Sequence, residues 1–99
     1  MAEVAEAFER EHGCTEAEWL VWLPEAVHGH AVVLDAPGRA CIAIRTGTLQ
    51  IDWHELPPRR IALLHLPRMQ MRYEFRGVGP VERQRFMKRF DLYLQRGGG

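Results

Sequence analysis

The histidines are the residues whose types and spacing come nearest to a reactive site in this chain. His28 and His30 flank Gly29, and on a strand two residues this far apart share a face, so that both imidazoles could bind one metal ion. A tetrahedral site needs a third and a fourth ligand. The candidates for these two ligands are His54, Glu55, His65 and Cys41, but no spacing in the sequence points to any of them. A polar turn leading into a strand explains the His-Gly-His segment more simply, so we expect no metal and no cofactor.

The other side chains capable of catalysis also lack a supporting pattern. His12 and Cys14 are close in sequence, but a Cys–His pair is defined by its position in space. His54 lies between Trp53 and Glu55, and on a strand its side chain would point away from both. The sequence has no nucleophile elbow, zinc-protease helix, C-x-x-C pair or glycine-rich phosphate loop. We therefore expect a non-enzymatic protein, with a small metal-dependent enzyme as an alternative.

The charges are strongly polarised along the chain although they cancel in sum. Residues 1–58 carry ten acidic and three basic residues, a formal charge of −7, and residues 59–99 carry three acidic and ten basic residues, a formal charge of +7. Either the two halves pack together and neutralise each other, which we favour, or the basic half binds nucleic acid or another anionic ligand. In the second case the candidate binding residues are Arg59, Arg60, Arg72, Arg76, Arg85, Lys88 and Arg89, together with His54.

Length and composition predict one globular domain. The 99 residues fit a single domain over 1–96, followed by a flexible glycine tail at 97–99. The apolar fraction of 46% and the charged fraction of 26% are ordinary for such a domain. The N-terminus is acidic, and no apolar run reaches the roughly 18 to 20 residues that span a bilayer. We expect a cytoplasmic protein with no membrane contact and with both cysteines, Cys14 and Cys41, as free thiols.

The first third of the chain predicts two helices. Residues 2–12 place Val4, Ala5 and Phe8 on one helical face, with acidic residues on the other. A second helix begins with the capping-box spacing of Thr15 and Glu18. It should end or kink near residue 23, because the proline that follows clashes with the preceding turn.

The rest of the chain predicts a run of strands and then a final helix. Pro57 and Pro58 should end a strand, and Met69, Met71, Tyr73 and Phe75 alternate with polar residues on the clearest strand. The predicted strands cover 30–34, 40–45, 49–54, 61–66 and 68–76, and the predicted C-terminal helix covers 80–95. The fold class is thus α+β: an antiparallel meander of four or five strands, with two N-terminal helices and one C-terminal helix packed on one sheet face.

A complete set of fold elements without a reactive cluster predicts a binding or regulatory domain. The sheet face opposite the helices would carry both charge signs and could be self-complementary, which suits a two-fold homodimer. We therefore expect contacts with a second copy or with another protein. The residues expected on this face are Asp52, His54, Arg72, Glu74 and Arg76.

Overall fold

The computed structural model describes residues 4–95. Five antiparallel strands form one sheet in the order β1-β5-β4-β3-β2, and two helices pack on one of its faces. The elements are β1 (Ala7–His12), α1 (Glu16–Ala26), β2 (Val32–Ala36), β3 (Arg39–Ile44), β4 (Gly47–Ile61), β5 (Leu64–Arg76) and α2 (Pro80–Tyr93).

The prediction of two N-terminal helices was wrong, because the segment assigned to the first of them forms strand β1. Phe8, Arg10 and His12 are half-buried, whereas the residues between them are exposed, which is the two-residue period of a strand. Phe8 stacks on Tyr73 with ring centroids 4.8 Å apart. This segment pairs with the edge of β5, and the hydrogen bonds and side-chain contacts of that pairing outweigh the helix-forming tendency of the Ala and Glu residues in the segment.

Helix α1 begins where the sequence predicts and continues further than expected. The Thr15 side chain accepts from the Glu18 backbone N–H, and the Glu18 side chain accepts from the Thr15 N–H, which completes the capping box. The helix then passes through Pro24 and ends at Ala26, so of the predicted end or kink near Leu23, the end was wrong. Burial of Leu23 and Ala26 in the core offsets the hydrogen bond that Pro24 removes.

Strands β4 and β5 form a hairpin much longer than the sequence predicted. β4 does not end at Pro57 and Pro58 but continues to Ile61, and the predicted separate strand at 61–66 belongs to this hairpin. The ladder register shifts between Leu56 and Arg59. This bulge holds both prolines, which lack the N–H that a regular ladder needs.

An aromatic cluster joins the two helices to the sheet. Trp19 of α1 meets Trp53 of β4 and Phe90 of α2 edge-on, with ring centroids 5.7 Å and 6.1 Å apart. Phe90 also meets Tyr73 edge-on, at 6.0 Å. As predicted, Met69, Met71, Tyr73 and Phe75 point into this core. Within residues 4–95, the helices therefore cover one face of the sheet and leave the opposite face, which we call the open face, without a helical layer.

The predicted glycine tail at 97–99 lies outside the described residues, as does the predicted C-terminal boundary of the domain. Within residues 4–95, neither helix combines the length and the apolar character that crossing a bilayer requires.

A half-buried polar cluster attaches β1 to α2. The Arg10 guanidinium donates to both carboxylate oxygens of Asp91 and lies over the rings of Phe8 and Tyr73, 5.1 Å and 5.6 Å from their centroids. His12 Nε2 lies 3.1 Å from the Tyr73 hydroxyl oxygen. Burial lowers the pKa of His12 below its ordinary value of 6.5, and the charge of Arg10 lowers it further, although Asp91 opposes the shift.

We expect this histidine to make the fold less stable at mildly acidic pH. The pKa of His12 is lower in the folded chain than in the unfolded chain, so between these two pKa values the unfolded chain binds more protons. The stability that the neutral His12 contributes is therefore lost as the pH falls below about 6.5, the ordinary pKa of histidine. Urea unfolding at several pH values between neutrality and pH 5 should show a smaller loss for His12→Gln than for the wild type. His54→Gln, an exposed control, should keep the wild-type pH dependence, and an equally steep loss in His12→Gln would contradict the assignment.

Candidate functional site

The predicted basic site does not assemble, because its residues fall on three separate surfaces. Arg59 and Arg60 lie near the end of the β4–β5 hairpin, and His54, Arg72 and Arg76 lie on the open face. The remaining candidates, Arg85, Lys88 and Arg89, lie on α2, on the opposite side of the sheet. The structure therefore does not bring the sequence-predicted residues together into one basic patch.

The open face is crossed by ion pairs between the acidic and basic halves of the chain. Arg68 Nη2 lies 2.9 Å from Glu11 Oε1, and Arg72 Nη1 lies 3.6 Å from Glu9 Oε2. The hydrogen bond from Arg68 lowers the pKa of Glu11. The pairing of β1 with β5 places these opposite charges on neighbouring strands, so part of the charge polarity cancels across this face.

Two further pairs on this face lie within one half of the chain. Arg39 Nε donates to Asp52 at 2.7 Å, and Arg76 Nη2 lies 3.5 Å from Glu74 Oε1. Burial raises the pKa of Asp52, but hydrogen bonds from Arg39 and Gln50 outweigh this effect and leave the pKa below its ordinary value. Arg72 and Arg76, two of the predicted site residues, thus already have acidic neighbours.

The β4–β5 hairpin extends past the rest of the sheet as a two-stranded arm, which we define as residues 56–68. The last residue of β1 is opposite Met69, and the first residue of β3 is opposite Asp52. Within the described part of the chain, only β4 and β5 pair with each other beyond these points. The five residue steps from the base of the arm to its turn make it about 17 Å long.

The bulge decides which residues of the arm face which way. Before the bulge the odd-numbered residues of β4 face the helices, and the extra residue at the bulge reverses this alternation. Ile61 therefore lies on the open-face side, together with its partner Leu64. Arg60 and its partner His65 lie on the helix side. The aliphatic residues on the open-face side form what we call the apolar stripe, and Arg59 and Arg68 lie on the same side as the partners of Leu66 and Leu56. The apolar stripe consists of Leu56, Ile61, Leu64 and Leu66.

The apolar stripe and the turn beside it are open to solvent. Leu63 in the turn is 96% exposed, Leu64 is 61% exposed and Ile61 is 52% exposed. Ala62, which precedes Leu63, has a φ of 55°, a conformation for which glycine or asparagine is the usual choice in a two-residue hairpin turn. A cluster of exposed large aliphatic side chains on a projecting element marks an interaction surface more often than a solvated one.

The arm is also strongly basic relative to its surroundings. Between residues 56 and 68 the chain has three arginines, one histidine and no acidic residue. At the base of the arm, Glu9 and Glu11 lie on the open face. Of the three arginines, Arg68 pairs with Glu11 at 2.9 Å, Arg59 reaches Glu11 only at 3.9 Å, and among the described residues Arg60 forms no ion pair. The arm and the base of the open face thus have complementary charges.

The histidines and cysteines do not form a reactive group within the described residues. No three side chains of His, Cys, Asp or Glu among residues 4–95 come close enough together to hold a metal ion. Burial raises the pKa of the Cys14 thiol to about 11, so that this thiol is protonated near neutral pH. Cys41 lies half-buried in β3, and neither cysteine is in a disulfide.

Sequence reasoning missed the arm, although two of its arginines were among the candidates. The sequence gives no clear hairpin signal here, because a single apolar run, residues 61–64, spans the turn instead of flanking it. The turn itself lacks the Asn-Gly or Gly-X residues that usually identify such a hairpin, and Pro57-Pro58 indicates a break. No family model and no curated protein sequence matches this chain.

Proposed function

We propose that this domain is a protein-binding module that forms a two-fold homodimer by packing the arms of two copies against each other. The observation that carries the proposal is the exposed apolar stripe on a projecting two-stranded ribbon. A ribbon with no layer on its apolar side leaves its aliphatic side chains in water, and burying them against a second ribbon stabilises the pair.

The stripe and the charges around it favour a second copy as the partner. A two-fold interface places one surface against itself, and an apolar stripe is complementary to its own copy. When two arms overlap in antiparallel directions, the turn of each lies toward the base of the other. In this arrangement Arg59 of one copy would add a second cation beside Glu9 and Glu11 of the other copy, which in their own chain pair with Arg72 and Arg68. These opposite charges favour the antiparallel orientation.

The prolines favour packing through the face of the arm over strand addition at its edges. Pro57, Pro58 and Pro67 have no backbone N–H, so an incoming strand cannot form a continuous ladder along either edge. Face-to-face packing needs no free backbone group and uses the side chains that are exposed. A polyanionic partner is favoured less, because the basic residues lie on three different surfaces.

A cytoplasmic location goes with this proposal, and the free thiols of Cys14 and Cys41 support it.

We expect sedimentation of the wild type over a wide range of concentrations to show a reversible monomer–dimer equilibrium. Ile61→Glu/Leu64→Glu, which places a charge on each of two paired positions of the stripe, should weaken the dimer at least about 100-fold, because both carboxylates would be buried without a partner. The same sedimentation series on the variant measures this change.

Val81→Glu is the matched control, since Val81 on α2 is 65% exposed, close to the exposure of Leu64, and lies far from the arm in the fold. Its dimer should be as tight as that of the wild type. A wild type that remains monomeric at the highest concentrations, or equal weakening by Val81→Glu and the arm variant, would contradict the proposal.

A further inference from the structure

We propose that a cavity at the opposite end of the sheet from the arm binds a small organic monoanion with an apolar body, such as an aromatic carboxylate. The cavity lies between the end of α1 with the loop that follows it, the turn that joins β3 to β4, and residues 82–89 of α2. It shares no residue with the arm, and the inference stands apart from the proposed homodimer.

The floor of the cavity is apolar. Ala26, Val27, Ile44 and Phe86 form it, and all four side chains are buried in the core. The cavity volume is about 210 Å³. A cavity of roughly 150 Å³ lined by aliphatic and aromatic side chains is enough to bind benzene. This floor therefore accommodates a body of about one ring together with its head group.

The rim of the cavity has an excess of positive charge. Arg45 and Arg85 both approach Glu82, at 3.4 Å and 3.1 Å, so that one carboxylate serves two guanidinium groups. Arg89, the third arginine of the rim, forms no ion pair with any of the residues 4–95. A planar guanidinium binds a carboxylate through two parallel hydrogen bonds. The head group of an anionic ligand can thus bind Arg89, a guanidinium without an ion pair among the described residues, at the same cavity as the apolar floor.

The backbone around the cavity supports a functional role. Among residues 4–95, three residues other than glycine have a positive φ, and two of them, His28 (51°) and Arg45 (55°), line this cavity. This conformation is strained for residues other than glycine, and such residues cluster at active sites and ligand-binding sites. The hairpin turn after β3 accordingly has an arginine where asparagine or glycine would be less strained.

Two histidines fix the wall of the cavity. His30 donates from Nδ1 to the Val27 carbonyl at 2.6 Å, and its ring meets Phe86 edge-on with centroids 5.3 Å apart. His28 donates from Nε2 to the backbone carbonyl of Arg89 at 3.3 Å. The loop is thereby attached to α2 at Arg89, so the rim is held in place before a ligand binds.

The test is a titration of the ¹⁵N-labelled full chain, followed by two-dimensional NMR, with benzoate, the neutral amide benzamide and inorganic phosphate. We expect saturable shifts for benzoate at Arg45, Phe86 and Arg89, with benzamide and phosphate each at least about tenfold weaker. Benzamide keeps the ring without the charge, and phosphate keeps a charge without the ring. The comparison therefore separates the contribution of the rim from that of the floor.

Arg89→Gln should weaken benzoate binding about tenfold or more, whereas Lys88→Gln should leave it unchanged. Lys88 is the matched control, because it is the neighbouring cation on the same helix, forms no ion pair within the described residues and does not line the cavity. The circular dichroism spectrum of each variant shows that it is folded. The proposal fails if benzoate does not saturate, if benzamide or phosphate binds as well as benzoate, or if both substitutions weaken binding equally.

Discussion

Replacing residues 57–67 with an Asn-Gly turn should give a folded domain that no longer associates with itself. The new turn would join Leu56 directly to Arg68, which already face each other across the β4–β5 ladder. The shortened domain should keep nearly the full stability of the fold, because none of the residues 54–68 belongs to the buried core. The only described ion pair that leaves with the segment is that of Arg59 with Glu11, at 3.9 Å, and a pair this exposed contributes little.

Two measurements separate the roles of the arm in folding and in association. Urea unfolding should give a free energy of unfolding within about 1 kcal/mol of that of the monomeric Ile61→Glu/Leu64→Glu variant. Sedimentation of the shortened chain should show a monomer at all concentrations. A shortened chain that still dimerises would show that the interface lies elsewhere, and one that fails to fold would show that the arm supports the core.

Gly47→Ala should destabilise the fold by about 3 kcal/mol, a large effect for the addition of one methyl group. Gly47 begins β4 and lies against the end of β5, where a Cβ atom would be 2.4 Å from the Gly77 carbonyl oxygen and 2.5 Å from that of Arg76. Both obstacles are backbone atoms. Relief therefore requires the two strands to move apart at the point where the ladder between β4 and β5 begins.

Gly13→Ala is the matched control for this substitution. The nearest atom to its Cβ would be the Pro67 carbonyl oxygen at 3.9 Å, an ordinary van der Waals distance, so its stability should stay within about 0.5 kcal/mol of the wild type. Thermal and urea unfolding of the two variants measure the difference. Equal midpoints for Gly47→Ala and Gly13→Ala would show that the strands separate without cost.

The elements that the sequence predicted correctly are those that depend on neighbouring residues. The start of α1 follows from a hydrogen-bond exchange between Thr15 and Glu18, three residues apart. The inward face of β5 follows from the alternation around Tyr73, and the start of α2 follows from a proline at the first helical position. Each of these signals lies within a short stretch of chain, where local chemistry decides the conformation.

The N-terminal strand shows where local signals fail. Its residues favour a helix by composition, and their alternation becomes decisive only because β5, about sixty residues away, has an edge to pair with. The same pairing places Glu9 and Glu11 beside Arg72 and Arg68. The charge polarity therefore cancels in part across neighbouring strands, rather than between the C-terminal helix and the predicted pair of N-terminal helices.

The candidate sites depend on tertiary structure to an even greater extent. The sequence alone determines a capped helix, a clear amphipathic strand and a basic second half. Only the fold decided that Pro57 and Pro58 would sit in a bulge rather than end a strand, and the bulge sets which side of the arm is apolar. Only the fold decided that Arg89 and Arg45 would line the same cavity. It also placed Arg59 and Arg60 at the opposite end of the sheet. The physical reason is the same in each case: a ladder register or a cavity is defined by residues distant in sequence, whose contacts no local pattern records.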